Sequence, residues 1–190
     1  MNDPAIDALQ WPEYQCRSEA LIPAAPVTVW AALVDLAAWA RWWSVIRVEP
    51  VDPAASTTLA PGLRFRIVGN RPGGRTFGWT VEVLAVVPNE RIDLLYADGD
   101  LRGRTSWELA PAPGGTAVAY IYHGVRPMNA AAAASWLRWG TGVHECAMRV
   151  DTLPGLARYV RGEPLDDAWR DEVQVVMAEC VAALPVLEGG

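Results

Sequence analysis

Hydrophobic and polar positions change period along this chain, and the changes mark its elements. Over 14–22, YQCRSEALI, the pattern reads as a strand. From 26 to 43 the spacing becomes helical. Val29, Trp30, Leu33 and Leu36 recur every three or four residues, and Trp39, Trp42 and Trp43 close the run. Proline has a fixed φ and no N–H, which suits a first helical turn, so Pro26 marks a helix start. The spacing predicts two short helices, about 26–36 and 37–43.

A period of two then returns. Runs at 45–51, 63–69, 75–87, 90–96, 102–109 and 116–123 are separated by turn signals, as in an antiparallel sheet. One face collects Leu63, Phe65 and Ile67, then Phe77, Trp79, Val81 and Val83, then Ile92, Leu94 and Tyr96. It continues with Thr105, Trp107 and Leu109, and with Val118, Tyr120 and Tyr122. His123 falls on the opposite face. After Pro127 the period is helical again, through Trp136, Trp139, Val143, Ala147 and Val150. A long helix is predicted there, kinked where Gly140, Gly142 and Pro154 weaken it. A last helix is expected over about 165–184, with Asp166 and Asp167 favourably placed at its N-terminal end. The resulting organisation is a lead-in at 1–13, one main domain at 14–161, and an additional C-terminal helix within 162–190.

The 190 residues are 52% hydrophobic and 20% charged, enough for one domain with a sizeable core. Ten tryptophans against two phenylalanines give that core large apolar area in which each indole also carries an N–H donor. All sixteen cations are arginine, so lysine Schiff-base chemistry is excluded. With a net charge of −6 and scattered arginines, a nucleic-acid partner is not expected. No apolar run approaches the roughly 20 residues of a membrane span. The acids near the N-terminus do not fit a secretory signal, so a cytoplasmic protein is expected. Cys16, Cys146 and Cys180 are odd in number and far apart, which reads as reduced thiols.

The order of elements resembles the helix-grip fold of the START-like, or SRPBCC, group, which includes polyketide cyclases/dehydratases and lipid carriers. The residues that carry the resemblance are Ala25-Pro26, Val29-Trp30, Leu33, Asp35, Trp39 and Trp43, then Pro88 with Asn89-Glu90-Arg91. Trp107-Glu108-Leu109 and the hairpin Gly114-Gly115-Thr116 with Val118 complete it, over about 14–161. The resemblance implies an α+β fold: a curved antiparallel sheet of about seven strands, two short helices after the first strand, and a long C-terminal helix over an apolar cavity. The helix after 162 lies beyond the usual end of that fold and would serve as a cap, a sheet cover or a homodimer contact.

No GxSxG, HExxH, CxxC or phosphate-binding glycine loop occurs, and two histidines cannot build a histidine-rich metal site. No cofactor or metal is expected. The resemblance implies that a hydrophobic, aromatic or polyketide-like small molecule is held, and that any cyclisation or dehydration works mainly through shape. A few polar groups would polarise a carbonyl or move a proton. Tyr96, Tyr120, Tyr122 and His144 are the candidates for that work. Phe65, Trp79, Trp107, Trp136, Trp139 and Arg104 are candidates for ligand contact, the tryptophans as a pocket wall for a planar ring. Arg66 and Arg126 could hold an anion, and Asp98, Asp100 and Glu82 could act as bases if a pocket raised their pKa. Three readings remain open at this level. They are a cofactor-free cyclase or dehydratase, a non-catalytic carrier or sensor of a lipid or quinone, and a co-chaperone-type protein-interaction module.

Overall fold

The computed structural model describes residues 11–52, 56–70 and 76–187. Its centre is a seven-stranded antiparallel sheet of order β1-β7-β6-β5-β4-β3-β2. The strands are β1 (Tyr14–Ile22), β2 (Ile46–Pro50), β3 (Arg64–Asn70), β4 (Thr76–Val87), β5 (Arg91–Gly99), β6 (Leu101–Ala112) and β7 (Gly115–Pro127). The two edges are therefore β1 and β2. Between β1 and β2 lie α1 (Pro26–Val34) and α2 (Leu36–Trp42). They separate at Asp35, which leaves helical geometry and caps α2 by accepting from the Ala37 N–H at 3.1 Å. The β4–β5 turn uses Asn89 at φ 61°, a left-handed conformation that asparagine tolerates.

The helical stretch after β7 is not one helix. It divides into α3 (Ala130–Trp139), α4 (Gly142–Ala147), a π-helical turn (Met148–Thr152) and α5 (Leu153–Val160). The break is at Gly140, whose φ of 57° ends α3. Pro154 causes no break, because it sits in the first turn of α5, where its missing N–H is not needed. The wide turn falls just before that proline, and the Leu153 N–H closes it by donating to the Met148 carbonyl. α6 (Asp167–Ala182) follows, capped by the Asp166 carboxylate on the Trp169 N–H at 3.0 Å.

Asp151, in the π-turn, fixes this helical layer to the other. Its fully buried carboxylate accepts from the Ser44 N–H at 3.2 Å, the Ser44 hydroxyl at 2.7 Å and the Val45 N–H at 3.3 Å. Gly155 of α5 lies against the Trp42 carbonyl so closely that a Cβ there would overlap it. The helices that carry His144 and the C-terminal end of α2, with Trp42 and Trp43, are thus locked together.

The cysteines differ from the sequence expectation. Cys146 and Cys180 form a disulfide with Cα atoms 5.9 Å apart, and Cys16 alone is free. The bond staples α6 to α4 across 34 residues of sequence, a pairing that only the fold brings within reach. Scattered cysteines therefore give no argument for reducing surroundings. Arg158 stacks on Trp169 at 4.8 Å and adds a second attachment for α6. Val173 is buried on that helix, whereas Val175 and Val176 remain exposed. No described helix is long and apolar enough to cross a membrane.

Candidate ligand site

Alternation places one side chain of every second strand residue under the helices, and the order of strands brings the aromatic ones together. Tyr120 is the hub. Its ring lies 4.5 Å from Trp107, 5.9 Å from Tyr122, 5.8 Å from His144 and 6.2 Å from Trp43. Its hydroxyl meets the Tyr96 hydroxyl in a short hydrogen bond and donates to Thr105 Oγ1 at 3.3 Å. Tyr96 in turn packs against Trp79 at 5.2 Å. Tyr122 is layered between Trp136, whose ring is parallel to within 3°, and His144, at 4.1 Å. The Tyr122 hydroxyl lies 3.1 Å from His144 Nδ1.

A β-bulge makes this arrangement. Thr105 pairs with Tyr122 but Gly103 with Val125, so His123 and Gly124 together fall opposite the single residue Arg104. Two residues opposite one allow Tyr122 and Val125 both to face inward. Gly124 takes φ 130° there, a conformation that side chains rarely adopt.

The electrostatics follow from burial. Tyr96, Tyr120 and Tyr122 are enclosed, and loss of solvent raises each phenol well above its ordinary pKa. Cys16, beside Tyr122 on β1, is pushed up to about 12 by burial, with the Glu145 charge adding to it. Burial pulls His144 down to about 3. At neutral pH the phenols keep their protons and the imidazole is uncharged. This set offers hydrogen bonds to a ligand, not formal charge. Among the described residues, His144 Nε2 is buried without a partner, as are the indole nitrogens of Trp42, Trp43, Trp79 and Trp107. Trp39 differs, since its indole N–H donates to the Leu33 carbonyl at 2.9 Å.

Seven of the residues expected from sequence meet here: Tyr96, Tyr120, Tyr122, His144, Trp79, Trp107 and Trp136. Phe65 lies in the adjoining core, edge-on to Trp39 at 5.7 Å. Two residues expected to contact the ligand lie away from this cluster. Arg104 is turned to the outer face, where the alternation with Thr105 and Trp107 puts it. Trp139 is half-buried at the end of α3 beneath the Arg138 guanidinium, 4.6 Å away. The acids proposed as bases serve the backbone or the surface instead. Asp98 accepts from the Gly99 N–H, and Glu82 faces Arg64 at 3.9 Å. Asp100 accepts from the Gly78 N–H at 2.8 Å and from Asn129 Nδ2 at 2.7 Å, tying β4 to the start of α3. Arg66 lies on the outer face of β3, and Arg126 pairs with Glu13. His123 is exposed, with Nε2 2.7 Å from Ser106 Oγ. Sequence reasoning missed Trp43 and Thr105 as neighbours of Tyr120, and Cys16 as a neighbour of Tyr122. The alternation in β1 and β6 already pointed Cys16 and Thr105 inward. Nothing local told which tyrosine they would meet. Among the described residues, no cluster of three His, Cys, Asp or Glu side chains has the arrangement of a metal site.

The fold recurs in solved structures. A protein from Chromobacterium violaceum superposes with a TM-score of 0.56 at 21% identity, covering 79% of this chain and 97% of its own. One from Rhodobacter sphaeroides gives 0.54 at 24%, covering 78% and 93%. A protein in the dynemicin biosynthetic locus gives 0.51 at 19%, covering 81% of this chain and 50% of its own. At these identities the likeness is one of fold. No curated protein sequence gives a significant match. The family model for polyketide cyclase / dehydrase and lipid transport matches residues 15–149, which span β1 through α4 and every residue of the Tyr120 cluster. Strand order, interior aromatic face and family match agree, and the chain belongs to the polyketide cyclase / dehydrase and lipid transport family.

Proposed function

We propose that this protein holds a planar, largely apolar small molecule bearing carbonyl or phenolic oxygens, with the ligand's oxygens directed at the Tyr120 cluster. One observation carries the reading: five buried nitrogens of a single aromatic core have no partner among the described residues. A buried donor left unmade costs about 1–3 kcal/mol, and folded proteins keep few of them. A ligand with oxygen acceptors on an aromatic frame matches both the donors and the rings around them. Family membership supports the same class of ligand.

The electrostatics favour holding over strong acid–base chemistry. An efficient general acid or base has a pKa near the working pH. The phenols and Cys16 are shifted far above neutrality and His144 far below it. A reaction at this site would draw on positioning and on hydrogen bonds to a developing enolate, with Tyr122 oriented by His144. A protein-interaction module is the second reading. Trp39, Trp42, Trp43 and Trp107 favour it, because they pack ring against ring at 5.9–6.3 Å and fill the side of the core beneath α2.

Tryptophan fluorescence titration with a hydroxylated anthraquinone, and separately with oleate, tests the proposal. Saturable quenching by the anthraquinone, weakened about tenfold in Tyr122→Phe by loss of one buried hydrogen bond, is expected. Quenching by oleate alone would move the function to lipid carriage. Quenching by neither would leave the interaction-module reading.

A further inference from the structure

Among the described residues β1 is an edge strand, and an open groove runs along it. Residues 17–22 of β1 form one wall of an open groove of about 510 Å³. The other wall comes from α4, the π-turn and α5, through Glu145, Arg149, Leu153 and Ala157, with Leu184 at one end. An unpaired strand edge presents a row of backbone donors and acceptors ready to pair with another strand.

Two features identify the strand that fits this edge. The first is a charge ladder on the outer face of the sheet. Asp93 meets Arg91 at 2.7 Å, Arg91 meets Glu108 at 3.8 Å, Glu108 meets Arg17 at 3.1 Å and Arg17 meets Glu19 at 2.9 Å. It runs from β5 through β6 to β1 and stops at the open edge. The second is the symmetry of β1 itself. Its nine residues, bracketed by Pro12 and Pro23, have Ser18 at the midpoint. If a second β1 is laid antiparallel about a two-fold axis through Ser18, Arg17 falls opposite the partner's Glu19 and Glu19 opposite the partner's Arg17. The ladder then continues across the junction with alternating sign. On the other face, the groove-lining side chains nearest the axis are Ser18 and Ala20, small enough for two copies to approach. An isologous contact requires such self-complementarity.

We propose that β1 is a homodimer interface, in which two chains pair β1 to β1 about Ser18 and join their sheets through reciprocal Arg17–Glu19 pairs. Opposite charges placed directly across paired strands are favourable and like charges unfavourable.

Charge reversal provides the test. In Arg17→Glu, two glutamates face each other at both reciprocal positions, and in Glu19→Arg two arginines do. Each variant alone should dissociate, with a dimer dissociation constant raised about tenfold or more in sedimentation analysis. Both side chains are at the surface, and a thermal melt of each variant confirms that it folds. In a mixed dimer, both glutamates of the Arg17→Glu chain face both arginines of the Glu19→Arg chain. Mixing the two variants should therefore restore a dimer, seen in native mass spectrometry as a species containing one chain of each. A monomeric wild-type chain at high micromolar concentration would overturn the proposal. So would dimers that survive either reversal, or folded single variants that fail to associate when mixed. A dimer lost instead on Val175→Glu/Val176→Glu would place the contact on the exposed face of α6 and equally overturn it.

Discussion

Replacing Asp151 with alanine removes the acceptor of three hydrogen bonds at once. The Ser44 hydroxyl can turn to another partner, but the Ser44 and Val45 N–H groups cannot leave the backbone. An unsatisfied buried donor costs about 1–3 kcal/mol, and removing a desolvated carboxylate returns part of that cost. The expected loss is about 3 kcal/mol, which for a chain of this length lowers Tm by about 6–12 °C. Asp151→Asn keeps one acceptor oxygen and should lose about 1 kcal/mol at neutral pH. The pair also predicts a pH dependence. Burial outweighs the three hydrogen bonds and the Arg170 charge, so the folded-state pKa of Asp151 is raised. The folded protein therefore holds this proton more tightly than the unfolded chain does. That contribution is fully present below the ordinary aspartate pKa of about 3.9 and is lost as pH rises through the raised folded value. Thermal melts of wild type and Asp151→Asn across about pH 4 to 8, followed by near-UV circular dichroism of the tryptophans, read the difference directly. The advantage of wild type should shrink as pH rises. A loss below about 1 kcal/mol in Asp151→Ala, or an advantage that grows with pH, would refute the assignment of Asp151 as a buried clamp of raised pKa.

His144 should show the opposite sign. Its folded pKa of about 3 lies below the ordinary 6.5, so its contribution is present above 6.5 and lost as pH falls toward 3. A His144→Gln variant should lose less stability than wild type between about pH 6.5 and 4, and parallel melting curves would contradict this. Closing the loop between Cys146 and Cys180 is worth about 4 kcal/mol on the chain-entropy model for 34 residues of separation. Reductant should lower the Tm of wild type to that of Cys146→Ser/Cys180→Ser and leave the double variant unchanged; insensitivity of wild type to reductant would count against the staple. Gly155→Ala puts a methyl group against the Trp42 carbonyl, and a forced backbone shift of this kind costs about 1–3 kcal/mol. A neutral or raised Tm in denaturant-free melts would show that α5 is not docked as tightly as described.

The strand and helix pattern was legible because each period reports a local geometry. Alternation from Phe65 to Tyr122 marked the inner face, and Pro26, Asp166 and the Pro88-Asn89 turn marked element ends through their own backbone chemistry. Tyr96, Tyr120 and Tyr122 could be chosen from that alternation alone, as could the outward turn of His123. What alternation could not give was the partner. Tyr120 meets Trp43, Thr105 and His144 from three other elements, and those distances follow from strand order and from the bulge at His123–Gly124. The pairing of Cys146 with Cys180 and of Asp151 with Ser44 joins positions tens of residues apart, so no local spacing carries it. Gly140 rather than Pro154 breaks the C-terminal helix because a proline in a first turn loses nothing, and only the preceding π-turn put it there. The order of elements, the inward-facing side chains and the aromatic character of the interior could all be read along the chain, since they rest on period and side-chain type. The tertiary structure decided the hydrogen-bond partners, the shifted protonation of His144, the staple on α6 and the open edge at β1. Each of those depends on which distant segments the fold brings within a few ångströms, and on the solvent it removes there.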